Sequence, residues 1–462
     1  MLEVLWPPHP YRAGFCITDD TDAASLESVK MVYDFLAAIG LRTTKTVWAF
    51  TPAEPCGIPA LPPSILRGIT LEDAAYLAYC VTLRERGFEI CLHGASAGNN
   101  VRDRTARALD LLESRFGLPG TYVCHAKNAE NPYWHEKVAP RGLAQRLLAL
   151  GSRYRCSGED AKSPYFWGDV CLEKVRHIRL FRTRNVNTLA ENPSMPYFDP
   201  EKPWVTSWFS ATKRSFADAT TPESLAQLTR ERGLCVLYQY MHRYADVAAG
   251  RVHESFRVSA ERLMAASVIW VDTASALMDR LRHIQGVALA RRGRDVWVGN
   301  AGATEIRDLQ ITAPSAAWTS DRAPGMERTA DGLRLHRLAA GALVRLPLDG
   351  PTSLEPRRAV NLDPSLHARV EWSNGALLVN AANDVWESAP SQSVAAGTCR
   401  FVPLAGREAP RPMWTAPLAE RYRLLAGQLA IIGREVAFKG RSLDSKRFLG
   451  AEEIALEDHA NW

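Results

Sequence analysis

The chain has 462 residues, of which 46% are hydrophobic and 23% are charged, and its formal net charge at pH 7 is +5. A chain of this length buries a large core and is expected to form more than one domain. The small positive charge is spread along the sequence, without basic runs interleaved with aromatic residues, which argues against nucleic acid as a partner. No stretch approaches about 20 uninterrupted apolar residues, so we expect no transmembrane segment.

The start of the chain, MLEVLWPPHPYRAGF, lacks the basic leader, apolar core and small-residue cleavage site of a signal peptide. The nine cysteines are odd in number and irregularly spaced, which is typical of reduced thiols rather than of a disulfide framework. Both observations predict a cytoplasmic protein. The sequence leaves the oligomeric state open.

Short apolar runs alternate with longer amphipathic stretches from about residue 13 to residue 283. The first run, GFCIT, is followed by SLESVKMVYDFLAAIG, whose apolar residues recur at helical spacing before a terminal glycine. The same succession repeats through the predicted strands TTKTVWAF, FEICL, TYVC, LCVLYQY and VIWV. Strands alternating with helices predict a parallel sheet, and this many units predict a closed or nearly closed α/β barrel over residues 1–287.

The sequence pattern changes near residue 288. Segments such as RDVWVGNAG and EIRDLQITA alternate apolar and polar residues between Gly, Asn and Pro turns, which is the pattern of antiparallel strands. We therefore predict an appended C-terminal antiparallel β domain over residues 288–412. Residues 413–462 are predicted to form a helical tail, whose first helix carries an apolar stripe that we expect to dock on the body of the protein.

Groups that can bind a metal or exchange a proton follow four of the predicted strands: Asp19 and Asp20, His93, His125 and His242. In a parallel α/β barrel, the active site lies on the face where the carboxyl ends of the strands open. One carboxylate and two imidazoles suit Zn²⁺ or another divalent first-row ion, which makes a bound water nucleophilic near neutral pH. A second carboxylate can accept a proton and a further histidine can protonate a leaving group, so the pattern predicts a metal-dependent hydrolase.

The same motifs resemble the polysaccharide deacetylases, the family 4 carbohydrate esterases that share the NodB homology fold, so the resemblance implies a deformed (β/α) barrel. The resemblance consists of a strand followed by Thr-Asp-Asp, a strand followed by His in a small-residue loop, and a late strand ending near His. The segments ITDDTD, RTTKTVW, GFEICLHGAS, YFWGD and NPSMPYFDP look like a divergent bacterial branch associated with surface-polysaccharide gene clusters. The resemblance spans about residues 10–285 and implies removal of an acetyl group from a glycan or glycan precursor.

The resemblance also implies a role for each matching residue. Asp19 would be the general base, and His242 the general acid. Asp20 and His93 would be metal ligands. Where the family has its second ligand histidine, four residues after His93, this chain has Ala97. Either the divalent metal is absent or its third ligand comes from elsewhere.

Three further side chains have alternative interpretations. His125, which ends the next strand, is our candidate for the third metal ligand, and the alternative is a buried hydrogen-bonding residue. Asp22 is either a ligand or, as the favoured interpretation, the N-cap of the following helix. Lys45, inside a strand pattern, either contacts Asp19 or Asp20 or faces solvent.

The segments SPYFWGDV and NPSMPYFDPEKPW concentrate aromatic residues and prolines. Aromatic faces stack on pyranose rings, so the segments predict a carbohydrate cleft as readily as a packed loop. A carbohydrate substrate is the expected partner, and the side chains predicted to bind it are Asn99, Asn128, Asn131, Lys45 and Trp167.

Two other functions fit the same sequence. The first is a carbohydrate-binding scaffold that has kept the barrel and lost the chemistry, with Ala97 as the sign of that loss. The second is a metal-independent glycoside hydrolase or lyase that uses Asp19 or Asp20 together with a loop carboxylate such as Asp169. The content of bound metal distinguishes both alternatives from the hydrolase.

Overall fold

The computed structural model of the chain describes residues 3–54, 68–118, 120–125, 128–151, 156–292, 295–300, 302–312, 325–330, 332–340, 342–347, 367–372, 375–380, 385–386, 400–403, 416 and 418–445. The parts of the predicted β domain and tail that fall between or beyond these ranges lie outside the described residues.

The chain begins with β1 (Glu3–Leu5), β2 (Ala13–Asp19), α1 (Leu26–Ala38), β3 (Thr44–Val47), α2 (Ala74–Glu85), β4 (Glu89–Leu92), α3 (Arg102–Phe116), β5 (Thr121–Tyr122) and α4 (Leu143–Gly151). It continues with α5 (Gly168–Lys174), β6 (His177–Thr183), α6 (Thr188–Glu191), β7 (Trp208–Thr212), α7 (Phe216–Ala219), α8 (Pro222–Glu231), β8 (Leu234–Gln239), β9 (Ala245–Asp246), β10 (Arg251–Val252), α9 (Glu254–Ala265), β11 (Ile269–Val271) and α10 (Ala274–Gln285). Two 3₁₀ helices, His135–Val138 and Met241–Tyr244, follow β5 and β8.

Strands β2 to β8 close a seven-stranded parallel barrel, because β2 pairs with β8 as well as with β3. The strand β11 pairs with the first residues of β2, Ala13 to Phe15, whereas β3 pairs with its last residues, Thr18 and Asp19. One edge of β2 is therefore shared by two strands, β11 at its start and β3 at its end. The predicted fold, a deformed α/β barrel followed by antiparallel strands, is confirmed.

Helix α1 begins directly after the loop that leaves β2. Its N-cap is Ser25, whose hydroxyl accepts a hydrogen bond of 3.2 Å from a backbone N–H three residues later and forms a capping box. The buried face of the helix follows at helical spacing: Val29, Val32, Tyr33 and Leu36. The favoured interpretation of Asp22 as the N-cap is therefore wrong, since Ser25 takes that position.

Helix α10 closes the amino-terminal end of the barrel. The backbone N–H of Ala274 donates to Thr44 Oγ1 at 2.8 Å, and that of Ser275 donates to Glu89 Oε2 at 3.1 Å. Glu89 also accepts hydrogen bonds of 2.6 Å from the hydroxyls of Thr44 and Thr121. A carboxylate at a helix N-terminus is favoured by the helix dipole, so this end of the barrel is closed by satisfied polar contacts.

The chain after α10 forms β12 (Val287–Arg292), β13 (Asp295–Asn300), β14 (Ile306–Thr312), β15 (Met326–Thr329), β16 (Gly332–Leu338), β17 (Leu343–Leu346), β18 (His367–Trp372), β19 (Gly375–Asn380), β20 (Val385–Trp386) and β21 (Arg400–Pro403). These strands pair antiparallel, except for β12 with β20, which is parallel. Strand β1, from the start of the chain, pairs antiparallel with β14 and joins this region to the barrel.

The tail helix α11 (Leu418–Ser445) lies against β6. Its Glu420 accepts a hydrogen bond of 2.7 Å from the Ser194 hydroxyl, and Arg421 lies 2.8 Å from the buried carboxylate of Asp199. The only helix between β6 and β7 is α6, with four residues, so α11 covers a part of the barrel that lacks a long crossover helix. The predicted docking of this helix is confirmed. No helix of the described residues, α11 included, is long and apolar enough to cross a membrane.

Candidate metal centre

Three side chains that follow β2, β4 and β5 converge at the carboxyl end of the barrel. Asp22 Oδ1 lies 3.6 Å from His125 Nε2 and 3.7 Å from His93 Nε2. The three residues can each offer one ligand atom, all within 4.8 Å of one another, and none is more than 3% exposed. Two ligands of one tetrahedral ion, each about 2.0 to 2.2 Å from it, are separated by about 3.3 to 3.6 Å. The residue types and their spacing therefore fit a divalent metal ion.

In both histidines Nδ1 makes a hydrogen bond and Nε2 faces Asp22. His93 Nδ1 lies 3.0 Å from the backbone oxygen of Val123, which can only accept, so this nitrogen carries the hydrogen. His125 Nδ1 lies 2.9 Å from Oδ1 of Asn128, whose amide nitrogen donates to other acceptors. In the neutral rings both Nε2 atoms then present lone pairs toward a carboxylate. Such an arrangement needs a cation between them.

A proton can take the place of the metal ion. Burial lowers the pKa of His125, but the charge of Asp22 and the hydrogen bond with it outweigh burial and raise the pKa to about 9. Burial and the neighbouring charge of Asp20 raise the pKa of Asp22 itself. A metal ion must displace the proton of His125, so we expect metal affinity to fall as the pH is lowered.

A buried hydrogen-bond network orients His125. The carboxylate of Glu130, which is fully buried, accepts from the side-chain amides of Asn128 at 2.9 Å and Asn100 at 2.6 Å. Burial raises the pKa of Glu130, and the amide hydrogen bonds oppose that rise. Gly94 has a φ of +76°, and a Cβ at this position would lie 3.3 Å from the Asn128 amide nitrogen. Partners of this kind fix the ring orientation of metal-binding histidines.

His125 comes to the site from the strand next to that of His93. The centroids of the two imidazole rings are 5.1 Å apart and the rings are nearly perpendicular. Ala97, which stands where the resembling family has its second histidine, is fully buried. The structure thus brings His93 and His125 together although the local His-x-x-x-His spacing is absent.

Asp20 belongs to the same cluster. Its Oδ2 lies 3.4 Å from His93 Nε2 and accepts a hydrogen bond from the Tyr238 hydroxyl, and its Oδ1 accepts from the backbone N–H of Asp22 at 3.0 Å. Burial raises the pKa of Asp20, but His93 and Tyr238 outweigh burial and hold it well below its usual range. Asp20 therefore stands as an ionised carboxylate beside the three converging side chains.

Asp19 points to the opposite face of β2, because successive side chains of a strand alternate. Its Oδ2 lies 2.8 Å from Lys45 Nζ and accepts a hydrogen bond of 2.8 Å from the Tyr33 hydroxyl on α1. Burial raises the pKa of Asp19, and Lys45 opposes that rise. The prediction that Lys45 contacts one of the acids is confirmed. These contacts are those of a buried ion pair, and they support neither a general base at Asp19 nor a substrate-binding Lys45.

His242 lies in the 3₁₀ helix after β8, at the same end of the barrel. The backbone of Asp20 hydrogen-bonds to it, and its ring centroid is 6.2 Å from that of Tyr240. Burial, with the charges of Lys45 and Arg243, lowers the pKa of His242 to about 3. Burial therefore favours the neutral imidazole at neutral pH, and the role of general acid that the resemblance implies for His242 stays a prediction.

The other predicted substrate-binding side chains hold the loops around the site. Trp167 is fully buried, and its indole N–H donates to a backbone carbonyl at 2.6 Å. The Asn131 amide donates to the backbone oxygen of His125 at 2.6 Å, and Asn99 Oδ1 accepts from a backbone N–H at 2.9 Å. Asn128 Oδ1 lies 2.9 Å from His125 Nδ1. The four side chains therefore have partners within the protein, and their contact with a substrate stays a prediction.

Sequence reasoning missed Asp22 as a leading ligand candidate and missed Glu130 altogether. A signal for Asp22 is present in ITDDTD, where Asp20 and Asp22 are two residues apart, while Ser25 is a good alternative cap for the helix. Glu130 gives no local signal, because its role depends on amide groups from a different loop.

No protein-family model matches the chain, and no curated protein matches it. Among solved structures, the chain is similar to a crystal structure of Puue allantoinase, with 11% sequence identity and a TM-score of 0.32. The match covers 60% of this chain and 94% of that chain. A similarity of this strength establishes no family, so the functional conclusion depends on the residues of the site.

Proposed function

We propose that the chain is a metal-dependent hydrolase of the deacetylase type, which removes an acetyl group from an amino sugar in a glycan or glycan precursor. The observation that carries the proposal is the convergence of Asp22, His93 and His125, with each imidazole held so that Nε2 faces the carboxylate. The substrate class is taken from the resemblance of the strand-end motifs to polysaccharide deacetylases.

The residues have distinct roles in this proposal. Asp22, His93 and His125 would hold the ion. When bound, a divalent ion supplies Lewis acidity toward an amide carbonyl and makes a water more acidic. Asp20, 3.4 Å from His93 Nε2, is the carboxylate placed to accept a proton from the attacking water. Tyr238 donates to Asp20 and fixes its orientation.

The proposal differs from the roles implied by the resemblance. The ligand carboxylate becomes Asp22 instead of Asp20, and the proton acceptor becomes Asp20 instead of Asp19. The first change follows from the position of Asp22 Oδ1, which lies 3.7 and 3.6 Å from the Nε2 atoms of His93 and His125. The second follows from the alternation of side chains along β2, which turns Asp20 toward the histidines and Asp19 toward α1.

The test is acetate release from N-acetylated amino sugars and their oligomers by the purified full-length chain. We expect release that a chelator abolishes and added Zn²⁺ restores, and no release by the His93→Ala variant. A folded, metal-loaded wild-type protein that releases no acetate from any member of such a panel would contradict the deacetylase proposal.

The same experiment separates the two alternatives. Cleavage of glycosidic bonds that persists in chelator would favour the metal-independent glycoside hydrolase. Glycan binding by a protein that takes up no metal would favour the scaffold, for which Ala97 is the supporting observation. In the structure Asp169 forms an ion pair of 2.6 Å with Arg102 and has half of its side chain exposed, so its contacts are those of a surface residue.

A further inference from the structure

Arg179 is a buried cation inside the barrel with an incompletely bonded guanidinium group. It is only 5% exposed, and its Nη1 atom is buried without a hydrogen-bond partner among the residues that the structure describes. His177, two residues earlier on β6, contacts Asp279 of α10 at the closed end of the barrel. Side chains two apart share one face of a strand, so Arg179 lies on the same face of β6 as His177, and its contact with the Tyr238 ring of β8 places it inside the barrel. A buried, unpaired donor on a cation is costly, which favours a ligand of opposite charge.

Arg179 lies beside the candidate metal centre. Its Cζ atom is 4.3 Å from the ring centroid of Tyr238, whose hydroxyl donates to Asp20. Asp20 in turn lies 3.4 Å from His93 Nε2. A single aromatic ring therefore separates the guanidinium group from the carboxylate of the site.

A second cation approaches the same pair of tyrosines. The Cζ atom of Arg243 is 4.2 Å from the ring centroid of Tyr240, and the hydroxyls of Tyr240 and Tyr238 are 3.1 Å apart. The nearby carboxylates are Asp20 and Asp22, whose charges a divalent ion would neutralise. With the ion bound, the two arginines leave this side of the site positively charged.

We propose that Arg179 binds an oxyanion of the substrate, so that the site selects an acetylated sugar carrying a carboxylate or a phosphate. The choice of an acetylated sugar rests on the proposed function, whereas the anion preference rests on Arg179 itself. The planar guanidinium group offers paired N–H donors that match the oxygens of a carboxylate or a phosphate, and such charge-assisted pairs are among the stronger hydrogen bonds of proteins.

The experiment measures binding rather than turnover. Dissociation constants of N-acetylglucosamine, N-acetylglucosamine 1-phosphate and N-acetylmuramic acid are determined by calorimetry, with and without Zn²⁺. We expect at least one anionic sugar to bind about tenfold or more tightly than the neutral sugar, and the phosphate and carboxylate arms identify which oxyanion the site prefers.

Variants assign the preference to Arg179. Arg179→Gln should remove the tenfold discrimination while metal content and binding of the neutral sugar stay unchanged. Arg179→Lys keeps the positive charge but lacks the paired N–H donors of the guanidinium group, so it should retain part of the discrimination. It replaces the Gln variant in the test if that variant does not fold. Arg176→Gln is the matched control, because Arg176 is more than half exposed and pairs with Asp279 at the other end of β6.

The outcomes separate the two proposals. Equal affinities for neutral and anionic sugars in the wild type, or unchanged discrimination in both Arg179 variants, would overturn the anion site while leaving the hydrolase proposal standing. Absence of metal binding with intact, Arg179-dependent anion discrimination would overturn the hydrolase proposal and leave the anion site standing.

Discussion

The two ends of the barrel hold similar residues, buried acids and histidines, in different hydrogen-bonding arrangements. At the amino-terminal end, the buried carboxylate of Glu89 accepts two hydroxyl hydrogen bonds and one backbone hydrogen bond, and His177 lies between Ser207 and Asp279 at 2.8 and 2.9 Å. At the carboxyl end, Asp22 faces the Nε2 atoms of two histidines whose hydrogens are on the other ring nitrogen.

The difference shows how a structural cluster and a functional one can be told apart when both contain buried acids and imidazoles. In the cluster at the amino-terminal end, formed by Glu89 and His177 and called the lower cluster, the buried acceptors meet donors, so the cluster needs no ligand. In the cluster at the carboxyl end, formed by Asp22, His93 and His125 and called the upper cluster, the Nε2 atoms that face Asp22 carry no hydrogen in neutral imidazoles, so a proton or a metal ion has to lie between them. The face that carries the upper cluster is also the face where barrels of this kind place active sites.

The largest expected effect comes from removing one imidazole of the upper cluster. His125→Ala should lose stoichiometric Zn²⁺ and all acetate release, because two protein ligands hold the ion far more weakly than three. Bound metal is measured by elemental analysis after dialysis.

The matched control for that variant is His177→Ala, which removes a buried imidazole from the lower cluster. It should lower the melting temperature and keep the metal. Loss of metal in both variants, or in neither, would break the distinction between the two ends of the barrel.

A smaller effect is expected for the amide that orients His125. Asn128→Leu removes the acceptor of the His125 Nδ1 hydrogen, so the affinity for Zn²⁺ should fall by about 10- to 100-fold. Metal titration with a competing chelator measures the change. Asn192→Leu, which alters another fully buried asparagine, should leave the affinity as in the wild type, and a drop of equal size there would point to general destabilisation.

The lower cluster should respond in stability alone. Glu89→Gln weakens the hydrogen bonds from Thr44, Thr121 and the start of α10, so the free energy of unfolding should decrease by about 2 kcal/mol. Denaturant unfolding gives this value. Metal content should stay at the wild-type level, and a decrease in metal content at matched folded fraction would show that the two ends are coupled.

The last effect is a pH dependence at His242. Its pKa is about 3 in the folded chain and about 6.5 when unfolded, so its stabilising contribution is complete above pH 6.5 and is lost as the pH falls toward 3. Denaturant unfolding in chelator should show wild-type stability decreasing more steeply than that of His242→Gln between pH 7 and pH 5, by at most about 1.4 kcal/mol per pH unit. Parallel pH profiles would mean that His242 is not held neutral.

The sequence was sufficient for the parts of the molecule that depend on local patterns. Alternating strands and helices predict the barrel, and the polar residues at the strand ends predict that His93 and His125 are candidates for one site. The roles of Asp19 and Asp20 could not be read in this way. The role of each acid depends on its tertiary contact. Asp19 pairs with Lys45 of β3, and Asp20 accepts a hydrogen bond from Tyr238 of β8, the strand that closes the barrel onto β2.

The supporting residues were beyond sequence reasoning for the same reason. Asn128 looks like a polar loop residue suited to binding a sugar, but its amide is enclosed by Glu130 and the carbonyls of a different loop. Trp167 looks like a stacking surface for a sugar ring, yet it is fully buried. In both cases tertiary contacts decide the role.

The central claim is that Asp22, together with His93 and His125, holds a divalent ion, and metal stoichiometry in two neighbouring variants tests it most directly. The wild type and Asp19→Asn should each bind about one Zn²⁺ per chain, whereas Asp22→Asn should bind it at least 100-fold more weakly. A wild type that binds no ion, or an Asp22→Asn variant that retains the ion with wild-type affinity, would contradict this account.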